Sequence, residues 1–116
     1  AMLWAKQRGL FDRFVDIAYE SFWKRELDID DVEVLERTLS VAGVETAGFR
    51  DWLAGPGRAL HDEINDQAFQ AGVYGVPTYL VDDELWFGRE HLPRVAWLLA
   101  GRKGPAPTVS NRSFAQ

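Results

Sequence analysis

Gly72-Val73-Tyr74-Gly75-Val76-Pro77-Thr78-Tyr79-Leu80-Val81 is a glycine-punctuated loop that passes through one proline into a β-branched and aromatic run. It reads as a helix stop, a tight loop and the start of a buried strand. Proline lacks a backbone donor and drives the residue before it out of the helical region. Val76 is therefore expected to be extended, and Pro77 to sit at or just before the strand's first residue. Only about 5–6% of X-Pro bonds in folded proteins are cis, so the residues by themselves favour a trans Val76–Pro77 bond. Beyond the loop, Thr78 to Val81 and Leu85 to Phe87 read as two short strands joined by Asp82-Asp83-Glu84, the pattern of a tight hairpin. Gly88 closes it and Arg89 or Glu90 starts a final helix. Pro93 falls in the first turn of that helix, where its missing donor does little harm. Leu92, Val95, Ala96, Leu98 and Leu99 are its expected buried positions, and Gly101 ends it.

Upstream of the loop the pattern is helical. Leu3 to Arg8 are good helix formers, Gly9 interrupts, and the pattern resumes from Leu10 to Trp23 as a second helix or the far side of a kink. Leu10, Phe14, Ile17 and Ser21 make one row, and Phe11, Val15, Ala18 and Phe22 the next. Tyr19 and Trp23 widen this face, which by composition belongs in a core before a ligand pocket. Asp28-Ile29-Asp30-Asp31-Val32-Glu33 has the layout of a helix start, with Asp30 as N-cap, Glu33 three residues later, and Ile29 poised to pack on Val34. A calcium loop counted from Asp28 would need glycine at its sixth position and glutamate at its twelfth. Glu33 and Leu39 stand there, which excludes it. Val34, Leu35, Thr38, Leu39 and Ala42 carry that helix's buried face, and Gly43 is its stop. Thr46 can cap a short helix through Leu53. Gly55-Pro56-Gly57 ends that helix, and Pro56 can open the next, which runs to Ala71. Leu60, Ile64 and Ala68 line this last one. His61 with Asn65 or Asp66 reads as a solvated face, because no second histidine or cysteine lies nearby to make a metal site.

At 116 residues and 47% hydrophobic content, with 5 Trp, 3 Tyr and 7 Phe, the chain has material for one domain with a real core. With no cysteine, it has no disulfide framework, cysteine nucleophile or Cys-x-x-Cys redox chemistry of its own. No apolar run approaches the ~18 residues of a membrane span and no signal-peptide layout is visible, so no membrane role and a cytoplasmic location are expected. The net charge of −5 argues against nucleic acid as a partner, since counterion release needs a basic face. Ala1 before Met2 reads as a cloning remnant. The expected class is α+β and mostly helical, with a helical region over residues 1–71. Residues 72–103 carry the proline loop, hairpin and last helix, and residues 104–116 form an extended tail, poorly ordered from Ser110 on unless Phe114 docks. A lone hairpin is marginal and has two open edges, so helices must cover it or another chain must complete the sheet.

The loop, the hairpin and Trp86-Phe87-Gly88-Arg89-Glu90-His91-Leu92 together resemble the C-terminal part of a known family. This is the group of 2-hydroxychromene-2-carboxylate isomerase and the kappa-class glutathione transferases, in the DsbA-like branch of the thioredoxin superfamily. Leu3 to Ala71 is similar to that family's inserted helical domain, and Val76 to Leu99 to its closing strand-strand-helix. Gly104-Pro105-Ala106-Pro107 echoes a family ending. The resemblance implies a cis proline at Pro77. It also implies glutathione as cofactor, with the backbone of Val76 pairing with its cysteinyl part as a strand-like partner. At Arg89 and Glu90, where the family more often has a small polar residue and then aspartate, it implies contacts to the γ-glutamyl end. Glu90 reads equally well as an ordinary acid at a helix start.

The family's catalytic serine, which activates the glutathione thiol, lies on a strand-and-helix segment ahead of the helical insertion. This sequence shows no such segment, and Ser21, Ser40, Ser110 and Ser113 match it by no motif. The expectation is therefore a truncated member without catalytic residue or metal site, which keeps the glutathione-binding loop and is inactive alone. The small aromatic substrate belongs to the intact family. The alternative is a non-catalytic binding or assembly module, a homodimer or a complex with a complementing chain, formed through the hairpin edges.

Overall fold

The computed structural model of the chain describes residues 1–108. Ser110, Ser113 and Phe114 lie outside the described residues. The order is α1 (Met2–Gln7), α2 (Phe11–Trp23), α3 (Val32–Val41), α4 (Phe49–Ala54), α5 (Pro56–Gln70), β1 (Thr78–Val81), β2 (Glu84–Phe87), one 3-10 turn (Arg89–His91) and α6 (Leu92–Leu99). The chain divides into two compact units, the first over Ala1–Asn65 and the second from Asp66 onward. It is mostly helical with one two-stranded antiparallel sheet. Among the described residues no helix is long and apolar enough to cross a membrane.

The core of the first unit is built on Trp4. Its indole donates to the Glu45 carbonyl at 2.7 Å, and its ring meets Phe49 edge-on at 5.7 Å and Trp52 at 5.2 Å. Phe14, Leu39 and Phe49 are the largest fully buried side chains and close around it with Ala5, Ala18, Ala42 and Val44. Gly9 separates α1 from α2 as two helices. Of the broad apolar face expected on α2, only Phe14 and Ala18 are buried. Phe11, Tyr19, Phe22 and Trp23 are exposed, Trp23 by 75%. Tyr19, Phe22 and Trp23 instead wall an open apolar groove of about 290 Å³ with Leu27 and Ile29. The sequence periodicity marks this whole face as apolar, but only its first two turns find partners in the unit.

Two helix starts shift from their expected places. Asp31, not Asp30, caps α3, its carboxylate accepting from the Glu33 and Val34 amides at 2.8 and 3.3 Å. The carboxylate of Asp28 takes the Asp30 amide at 3.0 Å, so the acid pair before the helix forms a turn and leaves capping to the third acid. The short helix after Val44 begins at Phe49 with Gly48 as its cap, and Thr46 supplies only its carbonyl, to the Phe49 amide at 2.9 Å. Pro56 opens α5 as expected, and Gly43, at φ 80°, stops α3. Along α5, Ile64 is exposed, and His61 is held by Asp62 and Asn65 in a solvated row. No metal-binding cluster forms among the described residues.

In the second unit β2 starts at Glu84, leaving Asp82-Asp83 as a two-residue turn with Asp82 at φ 52°. The last helix starts at Leu92, two or three residues later than the expected Arg89 or Glu90, because Arg89–His91 is a 3-10 turn. Val95 and Leu98 are its buried positions, whereas Leu92, Ala96 and Leu99 are exposed.

Capping by Asp31 predicts that Asp31→Ala lowers unfolding stability by ~1 kcal/mol, while Asp30→Ala leaves it nearly unchanged; urea denaturation distinguishes the two. Arg50 on α4 reaches Glu36 on α3 with a two-pronged bridge, Nε to Oε1 at 3.0 Å and Nη2 to Oε2 at 2.7 Å. Hydrogen bonding to that guanidinium holds the Glu36 carboxyl below its ordinary value. The bridge therefore stabilises the fold above the ordinary glutamate range and is lost as pH falls through the lowered value. Replacing the guanidinium, as in Arg50→Met, is expected to lessen the drop in urea midpoint between neutral and acid pH.

Candidate functional site

The Val76–Pro77 bond is cis. This is the isomer the family resemblance implied, against the trans form that the base rate alone favours, since tertiary packing can hold the isomer that is rarer in the free chain. On the far side of this bond the Pro77 carbonyl accepts from the Gly88 amide at 2.9 Å, which joins the loop to the end of β2. The Thr78 hydroxyl donates to the Gly75 carbonyl at 2.6 Å and closes the loop from within.

Two glycines are needed by what lies against them. A Cβ on Gly75 would come within 2.7 Å of the Phe87 ring, so the loop backbone lies flat on that ring, and Tyr74 stacks beside it with centroids 4.9 Å apart. Gly88 has φ 101° and ψ 151°, a conformation essentially closed to other residues, and the Glu90 carboxylate folds over the place its Cβ would take. The sharp turn at Gly88 thus brings Arg89 and Glu90 directly beyond the Pro77 contact.

Val76 is 87% exposed, and neither its N–H nor its C=O has a hydrogen-bond partner among the described residues. Arg89 and Glu90 are exposed and form no ion pair among the described residues. An exposed residue with both backbone groups free can offer them to the backbone of a peptide-like ligand. A free carboxylate and a free guanidinium one turn away can select a ligand that carries both an ammonium and a carboxylate.

The register extends this free surface. Strand partners are Thr78↔Phe87, Tyr79↔Trp86, Leu80↔Leu85 and Val81↔Glu84. Hydrogen-bonded and non-hydrogen-bonded pairs alternate along an antiparallel ladder. Counting from the Gly88–Pro77 bond, Tyr79 and Val81 bond to β2, while the amides and carbonyls of Thr78 and Leu80 point away from it. Among the described residues the sheet has no third strand, so this outer edge of β1 is open and adjoins Val76.

One cluster escaped the sequence reading. Trp86 meets His91 at 5.4 Å, and the Arg94 guanidinium lies 5.5 Å from the Trp86 ring and 4.6 Å from that of Trp97. Trp86 Nε1, His91 Nδ1 and Arg94 Nε are buried without a hydrogen-bond partner among the described residues. The Arg94-x-x-Trp97 spacing, which sets two side chains on one helix face, was the available signal.

The family model of the DSBA-like thioredoxin domain matches residues 1–100. The 2-hydroxychromene-2-carboxylate isomerase of Sphingobium xenophagum is 28% identical over 93 residues, which cover 79% of this chain and 48% of that protein. The chain thus spans about half the length of this curated relative. No solved structure matches it. The constraint at Gly88 predicts that Gly88→Ala costs ~1–3 kcal/mol in unfolding free energy and, read by NMR, loosens the Gly88 amide from Pro77.

Proposed function

Because the chain belongs to the DSBA-like thioredoxin domain family, we propose that its loop is a glutathione site within an isomerase-type member. Val76 takes the cysteinyl residue through its free N–H and C=O, and Pro77 shapes the turn that presents them. Glu90 pairs with the γ-glutamyl ammonium, and Arg89 attracts the carboxylate of the same end. The observation that carries the reading is the fully unpaired backbone of Val76 beside a cis proline. The likeness to 2-hydroxychromene-2-carboxylate isomerase supports the reaction class. In that chemistry glutathione adds to an unsaturated aromatic substrate, a bond rotates, and glutathione leaves. This requires a group that stabilises the thiolate. The reading assigns that group to neither Ser21 nor Ser40. A reduced thiol as ligand fits the glutathione-rich cytoplasm.

A second reading is favoured by the outward-facing Thr78 and Leu80: the hairpin accepts a strand from another chain, and the protein acts as an assembly module. Glutathione and its S-methyl derivative distinguish the first reading by NMR titration. Saturable shifts are expected at the Val76, Gly88, Arg89 and Glu90 amides. Glu90→Gln is expected to weaken binding roughly two- to fivefold, the worth of one exposed charge pair. Unchanged spectra at millimolar ligand would rule the glutathione site out.

A further inference from the structure

We infer that His91 is a positioning residue for the turn that carries Arg89 and Glu90, and that it holds this turn as a neutral imidazole with its proton on Nε2 and Nδ1 as acceptor. What the turn is for rests on the glutathione reading, whereas the way it is held does not. Arg89 and Glu90 are exposed, and of the three residues in the 3-10 turn only His91 is half-buried. The backbone ties the turn loosely, through the His91 amide to the Gly88 carbonyl at 3.3 Å and the Leu92 amide to the Arg89 carbonyl. Its inward anchor is the imidazole, whose ring lies 5.4 Å from that of Trp86 on β2. Arg94, on the first turn of α6, lies 5.5 Å from the same Trp86 ring and 4.6 Å from that of Trp97. Strand, turn and helix thus meet at His91.

Donors and acceptors select the protonation state. Trp86 Nε1, His91 Nδ1 and Arg94 Nε are all buried and unpartnered among the described residues. The indole and guanidinium nitrogens can only donate, whereas an imidazole nitrogen accepts when the proton sits on the other one. Neutral His91 with its proton on Nε2 therefore supplies the one acceptor of the three, toward which either donor can settle. Protonated His91 turns that acceptor into a third buried donor and sets a second cation beside the Arg94 guanidinium. The other groups around the ring are Tyr79, opposite Trp86 on β1, and Glu84, on the Trp86 face of β2 and bonded to Arg102 at 2.6 Å. Arg89 and Glu90 flank it within the turn, and Asp82 and Asp83 lie at the far end of the hairpin. Protonation of His91 thus loosens the turn and with it the placement of Arg89 and Glu90 beyond Pro77.

The chain has two histidines, and the other, His61, lies on α5 in the first unit, so His91 can be followed by itself. The test records imidazole-nitrogen and amide NMR spectra of the 116-residue chain from about pH 8 to about pH 5, the range in which histidine ordinarily changes charge. Expected are the Nε2–H tautomer at the upper end, and Arg89 and Glu90 amides that shift with the same midpoint as His91. His91→Asn keeps an acceptor near the Nδ1 position and does not titrate, so it is expected to hold these amides near their neutral-pH positions throughout. His91→Phe keeps a ring against Trp86 without an acceptor and is expected to displace them at every pH. Retained exchange protection at Tyr79 and Val81 shows the hairpin still folded in either variant. A proton on Nδ1 at the upper end overturns the inference. So do turn amides that ignore the titration of His91, or a folded Phe variant that matches the unaltered chain. Binding of S-methylglutathione is expected to weaken roughly two- to fivefold across the same range and to stay constant in His91→Asn. Equal binding at both ends, while the turn amides follow His91, overturns the positioning role. No binding at any pH removes the glutathione site alone, since the spectra of the free chain decide how His91 holds the turn.

Discussion

One backbone hydrogen bond, from the Gly88 amide to the Pro77 carbonyl, governs the second unit. It ties the cis-proline loop to the end of β2. It also fixes the parity of the ladder, so that Tyr79 and Val81 spend their backbone groups on β2 while Thr78 and Leu80 keep theirs facing outward. The bond requires Gly88 to hold a conformation with φ 101° that a side chain would forbid, and the freed space is taken by the Glu90 carboxylate. Gly75 answers the same demand on the other side by letting Phe87 lie against bare backbone. The consequence is a hydrogen-bonded frame around an unpaired residue, Val76. Preorganisation of this kind would lower the ordering cost of the glutathione binding proposed above.

The first unit is held by different means. Trp4 acts as a hinge pin between α1 and the segment after α3, since its ring packs on Phe49 and Trp52 while its N–H is satisfied by Glu45. Buried in this way, an indole contributes apolar area without leaving a donor unmet. The exposed ion pairs add little by comparison, because water screens them. The bridge from Arg50 to Glu36 is geometrically the best of them, as it engages both prongs of the guanidinium and joins two helices. The aromatic end of α2 is the unit's unresolved side, where Phe22 and Trp23 stack on each other edge-on beside an open groove.

Much of the fold was legible because it is local. Gly9 divides α1 from α2, Gly43 stops α3, Pro56 opens α5, and the strand after Pro77 starts where a residue lacking a donor permits. The differences arise where the chain offers more candidates than the fold uses. Asp28, Asp30 and Asp31 are chemically equivalent candidates for a cap, and only the path of the chain shows that Asp28 closes a turn and Asp31 the helix. On α2 and α6 the apolar residues outnumber the partners, so periodicity named a face but not which of its residues are covered. At the candidate site, motif resemblance singled out Val76, Pro77, Arg89 and Glu90 as expected ligand contacts. The cluster of Trp86, His91 and Arg94 went unseen because its members come from a strand, a turn and a helix.

By itself, then, the sequence determined the succession of helices, proline loop, hairpin and closing helix, together with the absence of cysteine chemistry. Those follow from the φ preferences of glycine and proline, from side-chain period and from composition. Tertiary structure alone decided that the Val76–Pro77 bond is cis, that Gly88 closes on Pro77, and that Thr78 and Leu80 face outward. The small free-energy difference between cis and trans is settled by surrounding contacts. The parity of a strand's hydrogen bonds depends on which residue its partner engages first, and no residue carries that information in its own side chain.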